Sequence, residues 1–366
     1  MAITVAVVFG TRPEAIKLAP VSQALLHCPQ VSYFGVDTGQ HDRLMPSIME
    51  RFGVPVAYHL NLLQPRQTLV ELEARILTRL PRLLRTLAPD VVMVLGDTAT
   101  AVMAAWAAFH EGFAVAHVEA GLRTYRPRSP FPEETFRRTI ATFSQWNFAP
   151  SDTAAANLRQ ESAPGKIFVT GNPVVDALAQ VIRWGLPGEF TLPPRQRPRR
   201  IVATIHRREN YRHLTDIFGA LNTLARQSHI ELFLPLHPNP RIVAAARQLL
   251  RPGPVQIIDP MEYDTWIAFL KTAHLIISDS GGLQEEASIL GIPLLITRDH
   301  TERPEVVSGG YGVLAGHDPQ RIVALATDIL AGRLTFATGS PYGDGQASRR
   351  IVSHLLHDLS DRDGSA

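Results

Sequence analysis

Short apolar runs alternate with longer amphipathic stretches along most of the chain. The runs predict strands at residues 3–9, 31–37, 91–95, 114–118, 146–149 and 167–170. A second series follows at 201–205, 230–234, 255–258, 275–278, 293–296 and 312–314. Between them, apolar positions spaced as on one helix face predict helices at 15–26, 69–87, 99–110 and 214–227. Such alternation means βαβ units, mostly parallel sheets and right-handed crossovers. Two series need a seam. Residues 184–200 hold Gly185, Pro187, Gly188, Pro193, Pro194 and Pro198 without apolar periodicity, which marks a linker or insertion near a boundary. A last helix at about 346–359 follows a Gly/Pro-rich segment at 339–345 and is expected to cross back to the first domain. The predicted fold class is α/β, two Rossmann-like domains with an interdomain cleft. The first spans 1–172 with the C-terminal helix of about 346–366, and the second spans 173–345.

Length agrees, since 366 residues make about two domains at roughly 150 residues each. With 45% hydrophobic residues the chain can fill ordinary cores, which excludes disorder. Lys+Arg of 36 against Asp+Glu of 34 leaves a net charge of +2, too little for a dedicated nucleic-acid binder. Cys28 is the only cysteine, so it forms no intramolecular disulfide and builds no metal site alone. No His/Cys/carboxylate spacing calls for a metal. The apolar start lacks a basic segment and meets Arg12, Pro13 and Glu14 at once, so it reads as a first strand rather than a signal peptide. No apolar run reaches the roughly 18 residues of a membrane-spanning helix. A cytoplasmic protein without membrane or nucleic-acid partners is the expectation.

Open α/β sheets bind ligands beyond the carboxyl ends of their strands, and there the polar chemistry of this chain collects. After the first strand, Gly10-Thr11-Arg12-Pro13 punctuates a strand-to-helix turn, where backbone N–H groups and Arg12 suit an anion. It is neither a GxGxxG nor a Walker A loop, and local spacing leaves an ordinary turn with a surface arginine equally open. Asp97 follows the third strand, Glu119 the fourth, and Glu133 opens a helix that carries Arg137. Carboxylates gathered in a cleft raise one another's pKa and suit general acid/base work; helix capping is the alternative for any one of them. In the second half His206, Arg207 and His237 follow consecutive strands. Ser280-Gly281-Gly282 opens a helix whose first turns carry Glu286. Small residues at a helix start let the backbone approach a diphosphate, and a carboxylate a few residues on can accept two hydroxyl protons of a diol. Arg298 to Glu305 is a dense charged turn after another strand, for which a solvated loop is the alternative.

Taken in order, these segments resemble the non-hydrolysing UDP-N-acetylglucosamine 2-epimerases of bacteria. The resemblance rests on residues 10–17 (GTRPEAIK), 96–98 (GDT), 117–124 (HVEAGLRT), 132–134 (PEE), 171–176 (GNPVVD), 206–209 (HRRE), 279–286 (DSGGLQEE) and 301–305 (TERPE). It implies a GT-B-like pair of domains, the second binding UDP, commonly a homodimer, with a UDP-sugar substrate and no nicotinamide or other cofactor. The implied reaction interconverts UDP-GlcNAc and UDP-ManNAc by eliminating UDP to a 2-acetamidoglucal and adding it back. Carried over by position, Asp97, Glu119, Glu133 and His206 match catalytic residues. Arg12 and Lys17 match basic residues near the reacting centre, and Ser280, Gly281, Gly282 and Glu286 match UDP contacts. Arg137, Arg207 and His237 are further substrate-side candidates. Phe136 stands where many members carry asparagine. Some members bind a second UDP-GlcNAc as activator; Gln40, His41, Arg43, Arg66 and Gln67 match that segment in part. The competing readings are a relative acting on a modified UDP-sugar of the diacetamido uronic acid type, a GT-B glycosyltransferase, a catalytically silent UDP-sugar binder and a hydrolysing epimerase. The carboxylates with Lys17 favour chemistry on the sugar ring.

One skew in composition bears on Lys17. Of 36 Lys+Arg only Lys17, Lys166 and Lys271 are lysines, which leaves 33 arginines. A lysine kept inside the first motif nominates a site that needs a compact, titratable cation, with chance as the alternative.

Overall fold

The apolar runs become strands of two parallel sheets. A computed structural model describes residues 2–40, 45–187, 193, 196–237, 239–250 and 253–363. The chain divides into two units, one of Met1–Arg128, Pro132–Ala179 and Tyr342–Ala366, the other of Ser129–Phe131 and Gln180–Pro341.

In the first unit the strands are β1 (Ile3–Phe9), β2 (Val31–Asp37), β3 (Tyr58–His59), β4 (Val91–Leu95), β5 (Ala114–Val118), β6 (Trp146–Ala149) and β7 (Lys166–Val169). The helices are α1 (Arg12–Leu26), α2 (Met45–Arg51), α3 (Leu69–Leu87), α4 (Ala99–His110), α5 (Glu133–Ala141), α6 (Asp152–Gln160) and α7 (Pro173–Arg183), the last entering the second unit. Strand order is β3-β2-β1-β4-β5-β6-β7. The direction of winding reverses between β1 and β4, the place where such sheets take ligands. Ala6 and Val8 of β1 pack with Val92 and Val94 of β4 under Leu72, Ile76 and Leu80 of α3 and Ala101, Ala104 and Ala105 of α4. Val5, Val7 and Phe9 point to the other face and are fully buried too. A strand covered on both faces has no polar alternation to show.

The second unit carries β8 (Arg199–Thr204), β9 (Ile230–Pro235), β10 (Val255–Ile258), β11 (Leu275–Ser278), β12 (Leu294–Ile296) and β13 (Gly312–Leu314) in the order β10-β9-β8-β11-β12-β13. Its helices are α8 (Leu214–Ala225), α9 (Pro240–Leu249), α10 (Tyr263–Leu270), α11 (Gly281–Leu290), α12 (Pro304–Ser308) and α13 (Pro319–Leu330). Ile201 and Ala203, Leu232 and Ile277 form its core with Leu221 and Leu224 of α8 and Ile322 and Ala326 of α13.

The final helix, α14 (Ala347–Asp363), belongs to the first unit and packs on α1. Asp176 accepts from the N–H groups of Ala347 and Ser348 at 3.2 and 2.9 Å, capping its start. Further along, Asp358 accepts from the buried Trp146 indole at 2.7 Å and pairs with Lys166. Among the described residues no helix is long and apolar enough to cross a membrane.

Candidate active site

The first-unit site begins with a turn that only glycine fits. A Cβ on Gly10 would collide with the hydroxyls of Thr38 and Thr100. Thr11 then caps α1, with proline in the first turn and a capping box closed by Glu14. The chain thus enters α1 at Arg12, earlier than the apolar period alone predicts. Glu14 is 1% exposed, and loss of water pushes its pKa up to about 7 against the hydrogen bonds it accepts. Arg12 is half-buried at the helix start. One turn beyond Glu14, the buried Lys17 ammonium pairs with the Glu119 carboxylate. Asn172 donates to the same Glu119 oxygen at 2.8 Å.

Asp97 and Glu119 leave neighbouring strands, because β4 and β5 pair from Val91–Ala114 to Leu95–Val118. Both turns use left-handed backbone, at φ +71° for Gly96 and +61° for Glu119. A non-glycine residue held there stores strain, a mark found at functional sites. A Cβ on Gly96 would lie 3.7 Å from Glu119 Oε1, so the Asp97 turn sits beside the Glu119 carboxylate. Under it the fully buried His117 donates from Nε2 to the Gly96 carbonyl at 2.7 Å. Burial pushes the pKa of His117 down to about 4, so the ring is neutral.

Arg137 from α5 pairs with Asp97 on one side and with Glu134 at 3.1 Å on the other. Glu134, fully buried, also accepts from the N–H groups of Thr124 and Tyr125, both at 3.0 Å. Glu133 opens α5 and is half-buried. The cap of α4 is Thr98 rather than Asp97, which removes the capping alternative for Asp97 and leaves its carboxylate on Arg137. Phe136 is half-buried and packs against the apolar cluster under α3 and α4.

In the second unit, Asp279 organises the edge. Fully buried, it accepts from His206 N at 3.0 Å, Arg207 N at 2.9 Å and Asn210 Nδ2 at 2.9 Å. The His206 ring stacks on His237 at 5.3 Å, with Nδ1 3.4 Å from Asp279. Desolvation lowers the pKa of His206, opposed by the Asp279 charge. Arg207 lies 3.8 Å from Glu302. Ser280 caps α11, which places the N–H groups of the Gly281 turn at a helix start suited to an anion. A Cβ on Gly281 would collide with the Arg303 guanidinium, itself paired with Glu285 at 2.8 Å and with Glu302. The charged turn at 298–305 is therefore no solvated loop: Arg298, Glu302 and Arg303 are buried and brace α11. Gly282 has nothing within 4 Å of an added Cβ, and Glu286 is half-buried on α11.

Of the activator-like residues, Gln40 stands against the Gly10 turn, its Cβ 3.1 Å from where a Cβ on Gly10 would lie. Gln40 accepts from Thr100 N at 3.1 Å and Thr100 Oγ1 at 2.8 Å, whereas Gln67 accepts from Gln64 N at 3.0 Å and from Arg75. Arg66 has left-handed backbone at φ +60°. His41 and Arg43 lie outside the described residues. Among the described residues no group of three His, Cys, Asp or Glu forms a metal centre. Sequence reasoning passed over Glu14, His117, Glu134, Asn172, Asn210 and Asp279. All but Asn210 stand inside quoted motifs, but their burial is not readable locally.

Chemically, the first unit presents two carboxylates after the carboxyl ends of adjacent strands, Asp97 paired with Arg137 and Glu119 with Lys17, and the second presents helix N–H groups beside a histidine stack. The family model for UDP-N-acetylglucosamine 2-epimerase matches residues 23–356. The UDP-N-acetylglucosamine 2-epimerase of Bacillus subtilis is 39% identical over 357 residues, covering 95% of this chain and 94% of that one. A crystal structure of UDP-GlcNAc 2-epimerase from Neisseria meningitidis bound to UDP-GlcNAc superposes with a TM-score of 0.92 at 38% identity, covering 97% of this chain and 100% of that one. The glycosyltransferase SnogD from Streptomyces nogalater, 14% identical with a TM-score of 0.52 over 96% of this chain and 94% of its own, shares the fold alone. With its two parallel-sheet units in a GT-B-like fold, the chain belongs to the UDP-N-acetylglucosamine 2-epimerase family.

Proposed function

We propose that this chain interconverts UDP-N-acetylglucosamine and UDP-N-acetylmannosamine without hydrolysing either. A carboxylate takes the C2 proton, the C–H electrons form the C1–C2 double bond, and the C1–O bond breaks to release UDP. Protonation of the 2-acetamidoglucal on the other face and return of the UDP oxygen to C1 give the epimer. Such a route asks for acid/base groups on the sugar and for positive charge on the departing diphosphate. We assign the first task to Asp97, Glu119 and Glu133 with Lys17 and His206. The second falls to Arg12, Arg137, Arg207, His237, the Ser280–Gly282 turn and Glu286. Family membership supports the reaction. The observation that carries the assignment is that Asp97 and Glu119 end adjacent strands, paired with Arg137 and Lys17. The family expectation of a cytoplasmic homodimer, needing no cofactor, goes with this reading.

Incubation with UDP-GlcNAc in deuterated water, followed by NMR, tests it. Inversion at C2 with deuterium there and no net release of UDP is the expected result. No deuterium at C2 overturns it, and free N-acetylmannosamine with UDP replaces it by hydrolysis.

A further inference from the structure

Two capping boxes stand among the described residues, and they are not used alike. In α3, Glu71 closes the box with one oxygen: Oε2 accepts from Thr68 N at 2.7 Å and Thr68 Oγ1 at 3.0 Å, on the exposed surface. In α1, Glu14 Oε2 accepts from Gly10 N at 3.1 Å and Thr11 N at 2.8 Å, and Oε1 reaches Thr98 Oγ1 at 2.6 Å across the sheet edge. Thr98 is itself the cap of α4, its Oγ1 accepting from Ala101 N at 3.0 Å, so its hydroxyl proton is directed at Glu14. One carboxylate therefore serves two helix starts and joins the turn after β1 to the turn after β4.

Capping alone does not require burial, as Glu71 shows. Glu14 is 1% exposed, and taking a carboxyl out of water is costly unless its hydrogen bonds are made. Residues three apart share a helix face, so Glu14 and Lys17 project side by side from α1. Glu14 holds the residue next to Asp97, and Lys17 holds Glu119.

We propose that Glu14 is a positioning residue for the reaction: its bridge from Gly10 and Thr11 to Thr98 sets where Asp97 stands relative to the Lys17–Glu119 pair. This rests on the epimerisation proposed above. The upward shift of the Glu14 pKa agrees with a carboxyl kept for placement in a dry site. A link of this kind acts on turnover more than on substrate capture, since misplacement by an ångström costs up to about 10²-fold in rate.

The test compares Glu14→Ala, Glu14→Gln, Thr98→Val, Thr98→Ser and the Glu14→Ala/Thr98→Val double variant with wild type, using UDP-GlcNAc. Glu14→Ala and Thr98→Val should each lower kcat roughly 10- to 100-fold with KM within about threefold. Glu14→Gln, whose amide oxygen still meets the two N–H groups and whose NH2 can donate to Thr98, should recover kcat to within about threefold of wild type, as should Thr98→Ser. The double variant should be no slower than the slower single one, because both remove the same link. A Glu14→Ala kcat within about threefold of wild type overturns the proposal. So do multiplicative losses in the double variant, or a Glu14→Gln as slow as Glu14→Ala, which would mean a direct proton role. If Glu14→Ala fails to fold, the Gln, Val and Ser variants decide. Amide hydrogen exchange over residues 96–101 reads the link independently of activity: it should rise in Glu14→Ala, which leaves the Thr98 cap of α4 in place, and not in Glu14→Gln. If wild type incorporates no deuterium at C2, the proposed reaction falls, and unchanged exchange in Glu14→Ala is what sinks the link.

Discussion

Two buried ionisable side chains of the first unit, His117 and Glu14, bias stability in opposite directions. His117 is held neutral, with a pKa near 4 against 6.5 for an ordinary histidine. Between those values the unfolded chain binds the extra proton, so the stability present above pH 6.5 is lost as pH falls toward 4. The linkage is worth about 3 kcal/mol at its limit. His117→Gln keeps a donor for the Gly96 carbonyl and cannot titrate. Its unfolding free energy, measured in denaturant from pH 7 to 4, should fall less steeply than that of wild type, and parallel curves would count against a buried neutral ring. Glu14 works the other way: its pKa is raised from 4.5 to about 7, so its contribution is full below 4.5 and lost as pH rises through 7. Lys17 belongs to the same set. In a chain with 33 arginines among 36 cations, a buried partner for Glu119 is lysine, whose single ammonium fits where a forked guanidinium is bulkier. Asp97 and Glu119 were legible because they directly follow apolar runs. Glu14 and His117 were not, since a capping glutamate reads the same whether its helix start faces water or, as here, the α4 cap.

Whole elements were the most legible level, because strands covered on both faces announce themselves as unbroken apolar runs. What escaped was too short or too local to show a period. β3 is a two-residue pairing at the sheet edge, and α1 gains its first turn from Thr11 and Glu14 rather than from apolar spacing. The edge of the second unit shows how one element depends on another. The α11 start needs glycine at 281 because Arg303 fills the space a Cβ would take. Gly281→Ala should therefore cost about 1–3 kcal/mol, the usual range for overpacking, and weaken UDP binding measured by calorimetry. In an Arg303→Ala background the stability cost of the same substitution should shrink, and equal costs in both backgrounds would show that the guanidinium is not the obstacle.

At the scale of the molecule, the first unit is assembled from both ends of the sequence. Its sheet precedes residue 180, yet the buried Trp146 indole on β6 donates to Asp358 on α14. Breaking that hydrogen bond at a buried donor costs about 1–3 kcal/mol. Asp358→Ala should accordingly lower the melting of the first unit, followed by near-ultraviolet dichroism, while UDP affinity stays unchanged; a change in affinity would tie α14 to the binding edge. A sequence reading can expect a helix to return, as the segment after residue 345 suggested, but it cannot supply the pairing of two side chains 212 positions apart.

That assembly has a consequence for synthesis. A ribosome delivers the chain from its amino end, so residues 180–341 are all made before α14 exists. The second unit can close its core while the first still lacks the helix that packs on α1 and answers Trp146. The earlier-made half of the protein is thus the later to be finished, and in the interval its uncovered apolar face is the surface that a chaperone, or another nascent copy, would meet.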